Sequence, residues 1–320
     1  MPPSHGTSIL IGEDLFSFPL SKVEHQLKSW GAKFQVREAA CAWSDLLGFG
    51  RHFVKSGWKP DIATWQKIAE RLQAAYSIHL RYPSLPGNFM LLLNDGVVRT
   101  IVDNKDHAFC WPLAAWIRDV VWAHVDVTST ERATGYPGPR TIVTGGEHAN
   151  YGLPAATMDD FANLATKEYP GMTKAAQAAG NPTIASNPAA LQMNTAFSKA
   201  YILDDYGSEV GINGCGLFVD ASFFELVRAH AQADQQRFTF VEEMREEGLF
   251  RGVKDANSDA HRQWMMRFVL APEPIKVDVA SLATTVWRVE KFYPHDGTPT
   301  DSCIEVPWYP SPPKKDQNPA

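Results

Sequence analysis

The chain has 320 residues, of which 44% are apolar and 21% charged; this composition supports a buried core and excludes collagen, coiled coil and long disorder. Thirty basic against 36 acidic residues leave a net charge of −6, which argues against a phosphate backbone as the main partner. Ten Trp, 17 Phe and 9 Tyr suit a packed, pocketed β-rich or mixed domain.

In chain order, Ser8 to Leu15 reads as a strand running into a turn. Leu20 to Trp30 has helical spacing, with Ser21 and Glu24 placed as a capping box. Lys33 to Arg37 alternates like a short strand. Trp43 to Val54 and Ile62 to Tyr76 read as amphipathic helices, the second with Trp65, Ile68, Leu72 and Tyr76 on one stripe. Ile78 to Asp103 reads as strands broken by Pro83, Pro86–Gly87 and an Asn94-Asp95-Gly96 turn. Ala114 to Trp122 fits helix or strand. Thr157 to Tyr169 reads as a helix, and Gly171 to Pro188 as a loop or lid. Ala200 to Asp204 and Gly216 to Asp220 read as strands, Phe223 to Glu246 as mostly helix, and Arg262 to Leu270 and Thr284 to Phe292 as strands. Pro307 to Ala320 is a polar, Pro-rich tail. The pattern is α+β.

The four cysteines, Cys41, Cys110, Cys215 and Cys303, are too far apart for a metal finger or a redox pair and suit a reduced, cytoplasmic protein. The first residues carry no basic and apolar leader pattern, and no apolar run approaches 18 residues, so neither secretion nor a membrane partner is expected.

One motif is chemically pointed: His124-Val125-Asp126, within Trp122 to Thr128. On a strand, positions i and i+2 face the same side, so His124 and Asp126 could hold one metal. A second His from a distant strand would complete a two-His, one-carboxylate set with three open positions, as in non-haem Fe(II) oxygenases.

Several segments, in order, resemble the taurine dioxygenase-like family of Fe(II)/2-oxoglutarate-dependent oxygenases. They are Ile11-Gly12 to Leu15, Phe34 to Arg37 with Leu46 to Gly50, His124 to Thr128, Gly145-Gly146-Glu147, and Gly216 to Asp220. Asp255 to His261 is similar to the family's approach to its distal His. The resemblance implies a double-stranded β-helix, a jelly roll with N-terminal and inserted helices. It implies one catalytic domain over residues 1–306, with a helical insertion near 157–200 and a tail at 307–320. It further implies Fe(II) held by His124, Asp126 and His261, with Arg267 and Thr128 on the 2-oxoglutarate and a small organic substrate being oxidised. Departures are the short Arg267–His261 spacing, His148 where the family has Thr, and the charged stretch Glu242 to Gly252.

Two other readings stand beside it. Cys215, in Asn213 to Phe224, could be a hydrolase nucleophile with His148 or His295 as its base. Alternatively, the chain is a non-catalytic assembly or binding protein, or a member of the fold that has lost its iron. The acidic run Asp204-Asp205 to Glu209 has the look of a Mg²⁺ site but reads more simply as a solvated turn.

Overall fold

The computed structural model describes residues 8–11, 14–17, 35–82, 88–104, 109–150, 191, 193–255, 264–294 and 303–310. The chain divides into two compact units, one of residues 1–36 with 149–193, the other of 37–148 with 194–320. In the first unit, β1 (Ser8–Ile11) pairs antiparallel with β2 (Asp14–Ser17). The expected helices at Leu20 to Trp30 and Thr157 to Tyr169, and the loop at Gly171 to Pro188, lie outside the described residues.

The second unit is built on one sheet of 11 strands. Its main path runs β4 (Asn88–Leu93), β5 (Gly96–Val102), β3 (Gln35–Leu46), β6 (Pro139–Asn150), β7 (Gly216–Asp220), β12 (Leu282–Pro294), β10 (Trp264–Leu270), β9 (Gly248–Asp255), β8 (Phe238–Arg245). β11 (Ile275–Val279) and β13 (Ile304–Glu305) pair with β12 off this path. β6 and β7 run parallel, whereas β4–β5, β5–β3, β7–β12, β12–β10, β10–β9 and β9–β8 are antiparallel. A jelly roll needs two sheets packed face to face. A single continuous sheet with a parallel pair at its centre does not provide that, so the expected double-stranded β-helix is corrected to a broad mixed sheet with helices on it.

Five helices accompany the strands among the described residues: α1 (Arg51–Lys55), α2 (Ile62–Arg81), α3 (Cys110–Ala133), α4 (Thr195–Asp205) and α5 (Ala221–Ala233). Asp61 caps α2 by accepting from the Thr64 amide at 2.8 Å, Asn194 caps α4 through the Phe197 amide, and Asp220 caps α5 through Ser222. The principal core lies between the sheet and α3 and α5. Ala40, Ala42, Val143, Leu217, Val219 and Phe268 of the strands meet Leu113, Ile117, Val121, Phe223 and Val227 of the helices there. Alternate residues of β3 face the other side of the sheet.

Sequence periodicity and structure part company where burial is unusual. Trp43 to Leu46 is the end of β3, not the start of a helix; α1 begins only at Arg51. Ala200 to Asp204 is helix α4, not a strand. The expected helix from Phe223 ends at Ala233, and Phe238 to Arg245 is the edge strand β8. Of the expected tail, residues 307–310 are described; Tyr309 exchanges two backbone hydrogen bonds of 2.9 Å with Cys215.

No helix among the described residues is long and apolar enough to cross a membrane.

Candidate functional site

The His124-Val-Asp126 segment lies inside α3, not on a strand. Two residues apart on a helix means about 200° around the axis, so one metal cannot be gripped by both from one face. His124 points into the core: it is buried, its Nδ1 lies 3.0 Å from the Thr141 hydroxyl, and burial pushes its pKa down to about 4. Asp126 accepts a 2.7 Å hydrogen bond from the Tyr82 hydroxyl. Thr128 donates at 2.7 Å to the carbonyl of His124, one turn back. Arg267, on β10, stacks its guanidinium 3.7 Å from the ring centre of Tyr293. His261 lies outside the described residues. The strand on which a facial Fe(II) site was to be built is therefore a helix, and the expected Fe(II)/2-oxoglutarate chemistry is withdrawn with it.

Cys215 does not offer a nucleophile. It precedes strand β7 rather than opening a helix, it is buried, and desolvation pushes its thiol up to about 11. Its neighbour is the Thr128 hydroxyl at 3.6 Å, not a base.

The groups that do converge sit on the sheet face opposite the main core, at the end of β3. Trp43 and Asp45 share that face, while Ala40, Ala42 and Ser44 turn toward α3; Ser44 accepts from the Thr141 hydroxyl at 2.9 Å. The β4–β5 hairpin turns through Asn94 and Asp95, with Asn94 in the left-handed region at φ 49°. Register pairs Asp45 with Gly96, and Leu46 donates to the Asp95 carbonyl at 3.0 Å, so Asp95 stands beside Asp45 across the ladder. Gly96 is small for a reason: a Cβ there would meet the Trp43 ring.

Behind this pair, Asp204 of α4 is held from three directions. Arg140 donates to its Oδ1 at 2.5 Å and to its backbone carbonyl at 2.6 Å, and the Trp43 indole donates to its Oδ2 at 3.0 Å. The acidic run expected to be a solvated turn is thus anchored at its first residue in the protein. The Trp43 ring also meets Tyr201 edge-on at 5.7 Å and Phe197 at 6.1 Å; Tyr201 is exposed.

Electrostatics mark Asp45. Burial, then the nearby Asp204 and Asp95 charges, push its pKa up to about 7, against the opposing pull of Arg140 and Arg71. Asp95 is also raised, chiefly by burial. Neither arginine is free to neutralise the pair: Arg140 is taken by Asp204, and Arg71 makes a buried ion pair with Glu131 at 2.5 Å. A carboxyl that feels two neighbouring carboxylate charges, with the local cations already paired, is one that a divalent cation would stabilise in its ionised form.

Sequence reasoning passed over this site. Asp45 was hidden inside an apparent helix, and Asp95 counted only as a turn residue. The available signal was an apolar strand ending in Ser44-Asp45 and a second strand pair hinged on Asn94-Asp95-Gly96.

No protein-family model matches the chain, and no curated protein matches it. Solved structures similar to it include the adenylyl cyclase CyaB from P. aeruginosa, at 12% identity and a TM-score of 0.35, covering 80% of this chain and 95% of that one. A bacterial light-regulated adenylyl cyclase matches at 12% identity and a TM-score of 0.36, covering 84% of this chain but 61% of that one. Likeness at this level gives the chain neither a family nor an activity. The expected taurine dioxygenase-like membership is corrected on the fold itself, because one continuous sheet stands where a jelly roll was expected and His124 and Asp126 lie on a helix.

Proposed function

We propose that the Asp45–Asp95 face binds a divalent cation together with a phosphate-bearing ligand, a nucleotide being the class that fits best. The observation that carries this reading is Asp45 itself, whose carboxyl is pushed up to about 7 by burial and by two neighbouring carboxylates. A divalent cation would remove that repulsion. Mg²⁺ in particular takes one or two carboxylates and fills its remaining positions with water and substrate phosphates rather than with a full protein cage. The ring cluster of Trp43, Phe197 and Tyr201 adds an exposed aromatic edge on the same face, suited to a planar base.

In such a site Asp45 and Asp95 would hold the cation, which would supply charge neutralisation to phosphate oxygens. Asp204 is a positioning residue, since its two oxygens are spent on Arg140 and Trp43. Trp43 links the two halves of the site: its indole fixes Asp204, and its ring packs beside Tyr201.

Calorimetric titration with Mn²⁺, with and without ATP, tests this. Wild type should bind Mn²⁺, and ATP should bind at least about tenfold more tightly when Mn²⁺ is present. Asp45→Asn and Asp95→Asn should each weaken both by about tenfold or more. Wild-type protein that binds neither, or variants that bind as wild type does, would overturn the reading.

A further inference from the structure

A second set of donors lies at the other end of the same strand. Glu38 of β3, Asp103 just past β5 and His230 of α5 each present one ligand atom, and these atoms all fall within 4.8 Å of one another. The geometry is fixed from several directions. The Ala39–Val102 register sets Glu38 opposite Asp103, and the Asp103 amide donates to the Glu38 carbonyl at 2.9 Å. His230 is held by its helix and by the ring of Phe109, with centroids 4.8 Å apart. Glu38 shares strand parity with Ala40 and Ala42 and so faces the helices, whereas Asp45 faces the other way. Seven residues separate the two along β3, which is roughly 23 Å of extended chain. The two sets are independent.

The state of the imidazole distinguishes this cluster from an ordinary surface pair. His230 Nε2 is enclosed, and a Glu38 oxygen lies 2.7 Å away, yet Nε2 makes no hydrogen bond of acceptable geometry among the described residues. Nε2 and the Glu38 oxygen thus face one another at a distance that a proton bridges as they stand and a metal ion bridges after a small separation, with the buried Asp103 carboxylate as third donor. Donors around a metal with bonds of ~2.1 Å stand roughly 3–4 Å apart, so small side-chain movements suffice to close the set. Asp103 is buried, and the Glu38 side chain is 48% exposed, which leaves an approach from solvent.

We infer that Glu38, Asp103 and His230 form a binding site for a divalent transition-metal cation of the zinc class. One imidazole and two carboxylates carry two negative charges, matching a divalent ion, and the mixed nitrogen and oxygen donors favour zinc over calcium or magnesium. Three protein ligands leave a position open to water. The ion would tie the C-terminal part of α5 to the β3–β5 end of the sheet.

The experiment is equilibrium dialysis of the full chain against zinc chloride, with metal measured by elemental analysis and stability by thermal melts. Wild type should take up one zinc per chain at this site and melt at higher temperature with zinc present. His230→Gln should lose that zinc, with affinity reduced at least about tenfold, and should lose the zinc-induced rise in melting temperature. Should His230→Gln fail to fold, Glu38→Gln, at a half-exposed position, should give the same loss. Asp45→Asn should keep it, which separates this site from the proposed nucleotide site. Absence of zinc uptake by wild type, or full uptake by both His230→Gln and Glu38→Gln, would show that the three residues form an ion pair and nothing more.

Discussion

At the scale of single residues, Asp45 carries the most consequence. Its carboxyl titrates near 7 in the folded chain against an ordinary value of 3.8, so between those values the folded state holds a proton that the unfolded state has released. Stability attributable to this group therefore falls as pH rises from about 4 to about 7, and the loss is complete above that range. Asp45→Asn cannot ionise and escapes the loss. Without divalent cations, the variant should match wild type at pH 4 and be more stable at pH 8 by about 1–2 kcal/mol, allowing for partial solvent screening. Thermal melts in a chelator across that pH series check the sign; a variant less stable than wild type at pH 8 contradicts it. Arg71 shows the opposite arrangement. Its buried charge is met by both Glu131 oxygens, at 3.0 and 2.5 Å, and its guanidinium lies 4.2 Å from the Tyr136 ring centre. Its presence on the inward side of α2 is why the stripe read from sequence, Trp65-Ile68-Leu72-Tyr76, is rotated from the buried one. Only Ile68 is common to both, and Trp65 is half exposed. A charged residue with a distant partner cannot be recognised as interior from local pattern.

The same lesson holds at the scale of elements. β7 and β10 were legible because short apolar runs fit strands buried on both faces, and much of β12 because β-branched and aromatic residues recur along it. α2 was legible as a helix, and the β4–β5 turn followed from Asn94-Asp95-Gly96. α3 was not, because it is buried around most of its circumference, from Leu113 through Val121 to Glu131. A helix covered on nearly all sides loses the 3.6-residue alternation that would mark it, and its His124-Val-Asp126-Val segment then imitates a strand. That substitution of period put His124 and Asp126 on one side of a supposed strand, and the taurine dioxygenase-like resemblance supplied the rest of the iron-site expectation. The candidate site suffered likewise, since reading Trp43 as helical concealed the parity that puts it beside Asp45. Strand spacing supplies a testable detail at this scale. Gly252 of β9 pairs with Arg267 of β10, and a Cβ at Gly252 would run into the Met266 carbonyl oxygen and crowd the Arg267 Cα. Because both obstacles are backbone, Gly252→Ala should force the two strands apart and cost about 2–3 kcal/mol, read as a lower denaturation midpoint in urea. A midpoint within experimental error of wild type would mean that the β9–β10 spacing yields without strain.

For the sheet unit as a whole, stability should be graded from centre to edge. β12 spans 13 residues and pairs with β7, β10, β11 and β13, and its Val289 and Phe292 lie in the main core with Phe268 and Leu270 of β10. Opening it breaks several ladders and exposes that core, so its amides should exchange only through near-global unfolding. β8 closes one end of the main path with a single paired neighbour, β9, and it carries Glu242, Glu243 and Arg245 at or near the surface. Charges along an edge oppose pairing with a further strand and leave its outward amides to water. β4 closes the other end with every residue at least partly exposed. Hydrogen exchange followed by mass spectrometry should thus rank β10 and β12 slowest and β4 and β8 fastest, with protection differing by about a hundredfold or more. Exchange from β8 as slow as from β12 would require a partner covering the charged edge, and dilution would then accelerate it, whereas an edge that is truly terminal exchanges at a rate independent of protein concentration.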